Sequence, residues 1–111
     1  MIEKIVYDYL SEALPVPVCL EVPENPPERF VLLEKTGSGR ENWICSATLA
    51  VQSWAETLFG AAELNEQVKA TMDGIVQLPE ICRCRLNSDY NFTDTATKRY
   101  RYQAVFDIVH Y

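Results

Sequence analysis

Residues 43–73 turn from a strand into a helix and read WICSATLAVQSWAETLFGAAELNEQVKATMD. Over the first ten of these residues apolar and polar side chains alternate, which is typical of a strand with one buried face. The tetrad Ser53 to Glu56 matches a capping box, in which a serine hydroxyl and a glutamate carboxylate cap a helix reciprocally. We therefore expect a strand over 43–52, with Cys45, Ala47, Leu49 and Val51 on its buried face, and then a helix that ends near Asp73.

Upstream of this stretch, the pattern predicts a short helix over residues 2–13 and strands over 18–22 and 29–35. Residues 36–42, TGSGREN, contain two glycines and predict the loop of a hairpin that joins 29–35 to 43–52. A long hairpin of this kind can add to the sheet of a neighbouring copy, or it can be an ordinary surface hairpin.

Downstream, the sequence predicts a strand over 81–86, a polar connection over 87–95 and a final strand over 98–110. The order α-β-β-β-α-β-β predicts an α+β fold of one domain. We expect a mixed, mainly antiparallel sheet of four to five strands, with one long and one short helix packed on one face. The predicted core includes Leu58, Val68, Tyr102 and Phe106.

Composition limits the class of protein. The chain has 111 residues, of which 48% are hydrophobic and 23% charged, as in one globular domain. No apolar run approaches the ~18 residues of a membrane span, so no membrane contact is expected. The first residues lack a basic start followed by an apolar core, and we expect the protein in a cytoplasm or in a particle assembled there.

The chain has a net charge of −6, and its charged residues are unevenly distributed along the sequence. Residues 1–80 hold five basic against thirteen acidic residues, whereas residues 81–111 hold five basic against three acidic ones. This asymmetry suits head-to-tail contact between identical copies, although a solvated surface with chance clustering gives the same count.

No constellation of catalytic residues is visible. The single histidine, His110, lies at the end of the last predicted strand, and no phosphate-binding glycine loop is present. Four cysteines are present at 19, 45, 82 and 84, and we expect reduced thiols, with a disulfide or a zinc site as alternatives. The sequence therefore predicts a protein that is not an enzyme and has no cofactor or metal.

Basic and aromatic residues interleave near the C-terminus. Arg99-Tyr100-Arg101-Tyr102, together with Arg83 and Arg85, resembles the mixture that single-strand nucleic-acid binders use. In an extended strand, however, the arginines face one way and the tyrosines the other. The tyrosines then belong to the core and the arginines to a polar sheet face.

Three stretches carry a resemblance to a known family: residues 40–45 (RENWIC), residues 61–69 (AAELNEQVK), and residues 86–95 with 99–104 (LNSDYNFTDT and RYRYQA). They resemble the small tail-terminator and tail-completion proteins that siphophage and prophage genomes encode in their head–tail joining region. The element order is similar to theirs over nearly the whole chain.

The resemblance implies a structural virion protein without catalytic residues, assembled in the bacterial host cytoplasm. Proteins of this family form rings, typically hexamers, on the end of the tail tube, where they stop polymerisation and meet the head–tail connector. DNA passes through the lumen without sequence readout. Neighbouring connector and minor capsid proteins share this size and composition.

Two segments are the predicted interface between copies or with partners, namely the hairpin loop and the basic end. Their residues are Thr36, Gly37, Ser38, Gly39, Arg40, Glu41, Arg83, Arg85, Arg99 and Arg101. Two alternative functions remain open: a small nucleic-acid-binding module that uses the four arginines, and a free-standing interaction protein.

Overall fold

The computed structural model describes residues 1–96 and 99–111. The element order is α-β-β-β-α-β-β, as predicted. The helices and strands are α1 (Ile2–Ala13), β1 (Val18–Cys19), β2 (Phe30–Glu41), β3 (Ile44–Ala55), α2 (Leu58–Asp73), β4 (Ile81–Asn91) and β5 (Tyr100–His110). A short 3-10 turn, Ile75–Gln77, links α2 to β4.

The strands of the described ranges form one mixed sheet in the order β1-β2-β3-β5-β4. The β1–β2 pair is parallel, and the other three pairs are antiparallel. The α+β prediction is therefore confirmed, including the mainly antiparallel sheet and the one long and one short helix. Because β3 and β5 lie in the middle of the sheet, β2 and β4 carry most of its outer edges.

The main core lies between the sheet and the two helices. The predicted alternation places Leu49, Val51 and Phe106 on the helix-facing side, where they pack with Val68 and Leu10. Burial of this apolar surface is the dominant stabilising term. The Tyr9 hydroxyl donates to the Thr71 carbonyl across 2.8 Å and ties α1 to α2.

The opposite side of the sheet is here called the back face. It carries a second, smaller apolar cluster of Phe30, Leu32 and Trp54. The odd-numbered residues of β5 from Arg101 onward lie on this face, in line with the sequence prediction that arginines and tyrosines separate. The back face therefore combines apolar, polar and cationic side chains.

The predicted hairpin loop over residues 36–42 is wrong. Residues 36–41 belong to β2, where Gly37 pairs with Thr48 and Gly39 with Ser46. The reversal needs only Asn42 and Trp43, whose φ values of 51° and 69° form a two-residue turn of the I′ type. Two glycines this close together are typical of a loop in a sequence. In the structure, however, Gly37 and Gly39 are paired with β3 as strand residues.

The predicted capping box is also wrong. Ser53 lies fully buried in β3, paired with Val31 on one side and Tyr102 on the other. The strand therefore continues to Ala55, and the helix is capped by Thr57, whose hydroxyl accepts from the Gly60 amide across 2.9 Å. Pairing in the sheet outweighed the local capping signal.

Three further predictions need correction or fall partly outside the structure. Residues 87–91 extend β4 and do not belong to a connection. Leu58 is 41% exposed and Tyr102 half-buried, whereas Val68 and Phe106 are core residues as predicted. The final strand begins at Tyr100, and the predicted start at Lys98 lies outside the described residues.

Candidate interaction surfaces

The tip of the β2–β3 hairpin, residues 40–44, exposes a large aromatic side chain. Trp43 is 82% exposed, and the Arg40 guanidinium lies over its ring at 5.3 Å from the centroid. A positive φ is unfavourable for every residue except glycine, and most of all for a bulky one. The φ of Trp43 is positive, so a tryptophan at this position costs conformational free energy. The result is an exposed aromatic anchor that carries a positive charge on its face.

The outer edge of β2 adjoins this tip. Because β1 pairs only with Val31 and Leu32, the part of β2 from Leu33 to Glu41 has β3 on its inner side and, among the described residues, no strand on its outer side. A bulge at Thr36 interrupts the register with β3. The predicted interface residues from Thr36 to Glu41 therefore form an open strand edge, here called the β2 edge.

The other outer edge of the sheet is β4. Its inner side pairs with β5, with bulges at Cys82 and Asn87. Arg83 and Arg85 are exposed on the back face of this strand. Bulges and charged side chains are common devices that keep an edge strand from unspecific pairing.

Arg99 and Arg101 take part in a compact cluster on the back face. Their guanidinium carbons lie 5.1 and 4.7 Å from the centroid of the Trp54 ring, and Phe30 stacks on the same ring at 5.2 Å. Arg101 also donates from Nε to the Phe92 carbonyl across 2.7 Å. Trp54 is only 6% exposed, so its ring is covered and cannot serve as a stacking platform for a base.

A surface groove of about 370 Å³ lies where the start of α2 meets β5 and β4. Phe59, Ala62 and Tyr102 give it an apolar lining, and Phe59 is 78% exposed. Glu63 and Glu66 lie at the same groove and make it acidic. We call this site the α2 groove.

An ordered polar network adjoins the α2 groove. The Lys69 ammonium lies 2.8 Å from both Asp89 Oδ2 and Glu66 Oε1, and Asn65 Nδ2 donates to Asp89 across 3.0 Å. The hydrogen bond from Lys69 lowers the pKa of Asp89, and the same contact raises the pKa of Lys69. Asn65 Oδ1 is buried and has no hydrogen-bond partner within residues 1–96 and 99–111.

A second ion pair joins the beginning of β2 to the β3–α2 junction. Arg29 Nε and Nη2 donate to the Glu56 carboxylate at 2.9–3.1 Å. This hydrogen bonding lowers the pKa of Glu56 and raises the pKa of Arg29. Glu56, predicted as the second half of a capping box, instead fixes the chain that leads into β2.

The four cysteines are free thiols in this structure. Cys82 is exposed at its bulge, whereas burial against the main core raises the pKa of Cys84 to about 11. No three histidine, cysteine, aspartate or glutamate side chains in the described part of the chain could together hold a metal ion. Across the same residues, no helix has both the length and the apolar character that a membrane crossing requires.

Compared with known proteins, the sequence matches no family model and no curated protein at a significant level.

The structure separates the predicted site residues into three places: the β2 edge, the exposed arginines of β4, and the Trp54 cluster. Sequence reasoning missed Trp43 and the α2 groove. The exposure of Trp43 was hidden because the turn was expected earlier in the hairpin. No sequence pattern predicts the α2 groove, because Phe59 lies on a helix and Tyr102 on a strand that come together only in the folded chain.

Proposed function

We propose that this chain is a structural subunit of a phage or prophage tail, a tail terminator or head–tail joining protein that assembles as a ring. The observation that carries the proposal is the position of the two predicted interface groups. The β2 edge, Thr36 to Glu41, and the exposed arginines of β4, Arg83 and Arg85, border opposite sides of one sheet.

Opposite sides favour contact between different surfaces of neighbouring copies. A contact of this kind is heterologous, and when repeated it closes into a ring if the rotation allows. The end of a tail tube provides the template on which a weak contact becomes a closed ring. The sequence resemblance to tail terminators supplies the partners: the tube protein on one side and the head–tail connector on the other.

Electrostatics agree with a ring through which DNA passes. The net charge is −6, and the carboxylates greatly outnumber the basic residues over residues 1–80. An acidic lumen repels the phosphate backbone, so the DNA slides without being held. The ring neither reads a base sequence nor performs a chemical step in this proposal.

The test is assembly of purified tail tubes with two altered chains, followed by electron microscopy. One chain carries Arg40→Ala with Glu41→Ala on the β2 edge, which leaves the strand in place, and the other carries Arg83→Glu with Arg85→Glu. We expect both to lose capping of the tube end, with the charge reversal more sensitive to salt. Glu21→Lys with Glu24→Lys, which changes two exposed charges in the connection between β1 and β2, serves as the matched control. Unchanged capping by both altered chains would contradict the proposal.

A second candidate function is binding of single-stranded nucleic acid. One observation favours it: Arg83, Arg85 and Arg101 lie on the same back face as Tyr90, and Arg101 lies over the ring of Phe92; Tyr90 and Phe92 are each 41% exposed. Against it, the Trp54 ring is covered by the arginines. Salt-sensitive binding of a single strand by the wild-type chain, lost in Arg83→Glu with Arg85→Glu, would favour this candidate over a ring. If the chain neither forms a ring nor binds single-stranded nucleic acid, the remaining hypothesis is a free-standing interaction protein.

A further inference from the structure

We infer that the Arg40–Trp43 tip of one copy docks into the α2 groove of the next copy. The inference rests on the proposed ring function and adds a second contact between adjacent copies, besides the one between the β2 edge and the arginines of β4. It assigns a binding partner to the two most exposed aromatic side chains of the folded domain, Trp43 and Phe59.

The two surfaces are complementary in chemistry. The tip offers an indole with a guanidinium 5.3 Å from its centroid. The groove offers an apolar lining of Phe59, Ala62 and Tyr102, with Glu63 and Glu66 at the same site. Tryptophan and arginine are the residues that most often dominate the binding energy of protein interfaces, typically by filling a pocket.

The charges at the groove leave one carboxylate for the incoming arginine. Lys69 already pairs with Glu66 and with Asp89. Glu63 is exposed and makes no direct ion pair in the described part of the chain, and it acts on the Arg29 guanidinium only through its charge. The groove also includes Asn65, whose buried Oδ1 lacks a partner within the same residues, so an unsatisfied acceptor adjoins the site of the incoming N–H donors.

The geometry excludes docking of a tip into the groove of its own chain. The tip precedes Cys45, whereas the groove lies near the other end of β3, where Ser53 pairs with Tyr102. A span of ten residues from Cys45 to Ala55 corresponds to about 33 Å of extended strand. Tip and groove therefore lie at opposite ends of the sheet, and their contact between copies is heterologous.

The backbone of the tip supports a binding role for Trp43. A two-residue turn with two positive φ values is best served by Asn-Gly, and here tryptophan occupies the position of the glycine. Trp43→Gly should therefore leave the hairpin folded, or stabilise it, while it removes the anchor. A purely structural tryptophan would give the opposite result.

The test uses the full chain in three forms: wild type, Trp43→Gly and Phe59→Ala. Sedimentation velocity at concentrations up to about 1 mM covers the weak end of the affinity range. We expect the wild type to self-associate and each variant to lose at least tenfold in affinity while it remains folded by circular dichroism. Tyr111→Ala, which removes another exposed ring, is the matched control and should associate like the wild type.

Mixing the two variants gives the decisive result. Phe59→Ala retains its tip and Trp43→Gly retains its groove, so an equimolar mixture should form a one-to-one dimer and nothing larger. In the same way, Arg40→Glu and Glu63→Arg should each weaken association, and the two changes in one chain should restore it. A wild type that stays monomeric, single variants that associate normally, or a mixture that stays monomeric would each overturn the inference.

The association experiment and the tube-capping experiment can fail independently of each other. If the mixture forms its dimer but wild-type protein does not cap tail tubes, the contact stands and the tail function fails. If both single variants cap tubes as the wild type does, the ring function stands and the tip–groove contact is overturned.

Discussion

The Arg101 guanidinium carbon lies 4.7 Å from the centroid of the Trp54 ring, and the two residues are direct cross-strand partners on the central strands β5 and β3. Phe30, the partner of Trp54 on β2, stacks on the same ring at 5.2 Å. Three strands are thus joined on the back face by one cation–aromatic stack. Arg101, which the sequence predicted as an interface residue, therefore stabilises the fold of the single chain.

Arg101→Met should lower the free energy of unfolding by about 1–2 kcal/mol, because it removes a shielded cation–π contact and the hydrogen bond to the Phe92 carbonyl. Urea unfolding followed by tryptophan fluorescence measures the loss. Arg85→Met, at an exposed position of β4, is the matched control and should change stability by less than about 0.5 kcal/mol. Equal effects of the two changes would contradict the role of the stack.

Phe106→Ala should cost about 3–5 kcal/mol, since Phe106 is fully buried between Leu49 and Leu86 in the ladder. Phe59→Ala makes the same chemical change at an exposed site and should stay within about 0.5 kcal/mol of the wild type. Thermal and chemical unfolding give both values. A Phe106→Ala protein with an unchanged midpoint would mean that β5 is out of register.

Stability should fall at acidic pH partly through Asp89. Its pKa in the folded state is lowered, chiefly by the hydrogen bond from Lys69, below the value of about 3.9 in an unfolded chain. The unfolded state therefore binds the proton more tightly, and the contribution of Asp89 is present above about pH 4 and lost as the pH falls through the folded pKa.

The stability difference between wild type and Asp89→Asn should accordingly shrink as the pH is lowered from about 6 to about 3. Unfolding curves across this range measure it, with Glu24→Gln in an exposed loop as the control for the general change in charge. A difference that stays constant with pH would show that Asp89 does not carry this effect.

The four thiols should react at different rates in the native protein. Only the thiolate is nucleophilic, and burial raises the pKa of Cys84 to about 11, while Cys82 is exposed. At about pH 8 we expect alkylation of Cys82 first and of Cys84 last, followed by mass spectrometry of peptides. Denatured protein should titrate as four free thiols. A protected Cys82–Cys84 pair, or stoichiometric zinc, would reopen a disulfide or metal role.

The alternation of side chains predicted much of the sheet. Ala47, Leu49 and Val51 of β3 and Ala104, Phe106 and Ile108 of β5 recur at every second residue, and the structure pairs the two strands and buries these side chains in the main core. Because these positions face the main core, a shift of either strand by one residue would move the whole apolar set to the back face. The order of the elements followed from the same patterns.

The interaction surfaces were less predictable because they depend on pairing. Gly37 and Gly39 lie in a strand because β3 pairs with them, and Ser53 lies in a strand because β3 continues between β2 and β5 as far as Ala55. The local sequence instead predicts a loop at the two glycines and a helix cap at Ser53. The α2 groove depends on the packing of α2 against β5, which no spacing within one element encodes.

The proposed assembly is a closed ring of copies of this chain at the end of a tail tube. The most direct measurement is electron cryomicroscopy of tubes assembled from a tail tube protein in the presence of the wild-type chain. We expect one closed ring of identical subunits at one end of each tube, with adjacent copies related by a single rotation and tube growth stopped there. Protein bound along the sides of the tubes, or tubes that elongate without any cap, would contradict it.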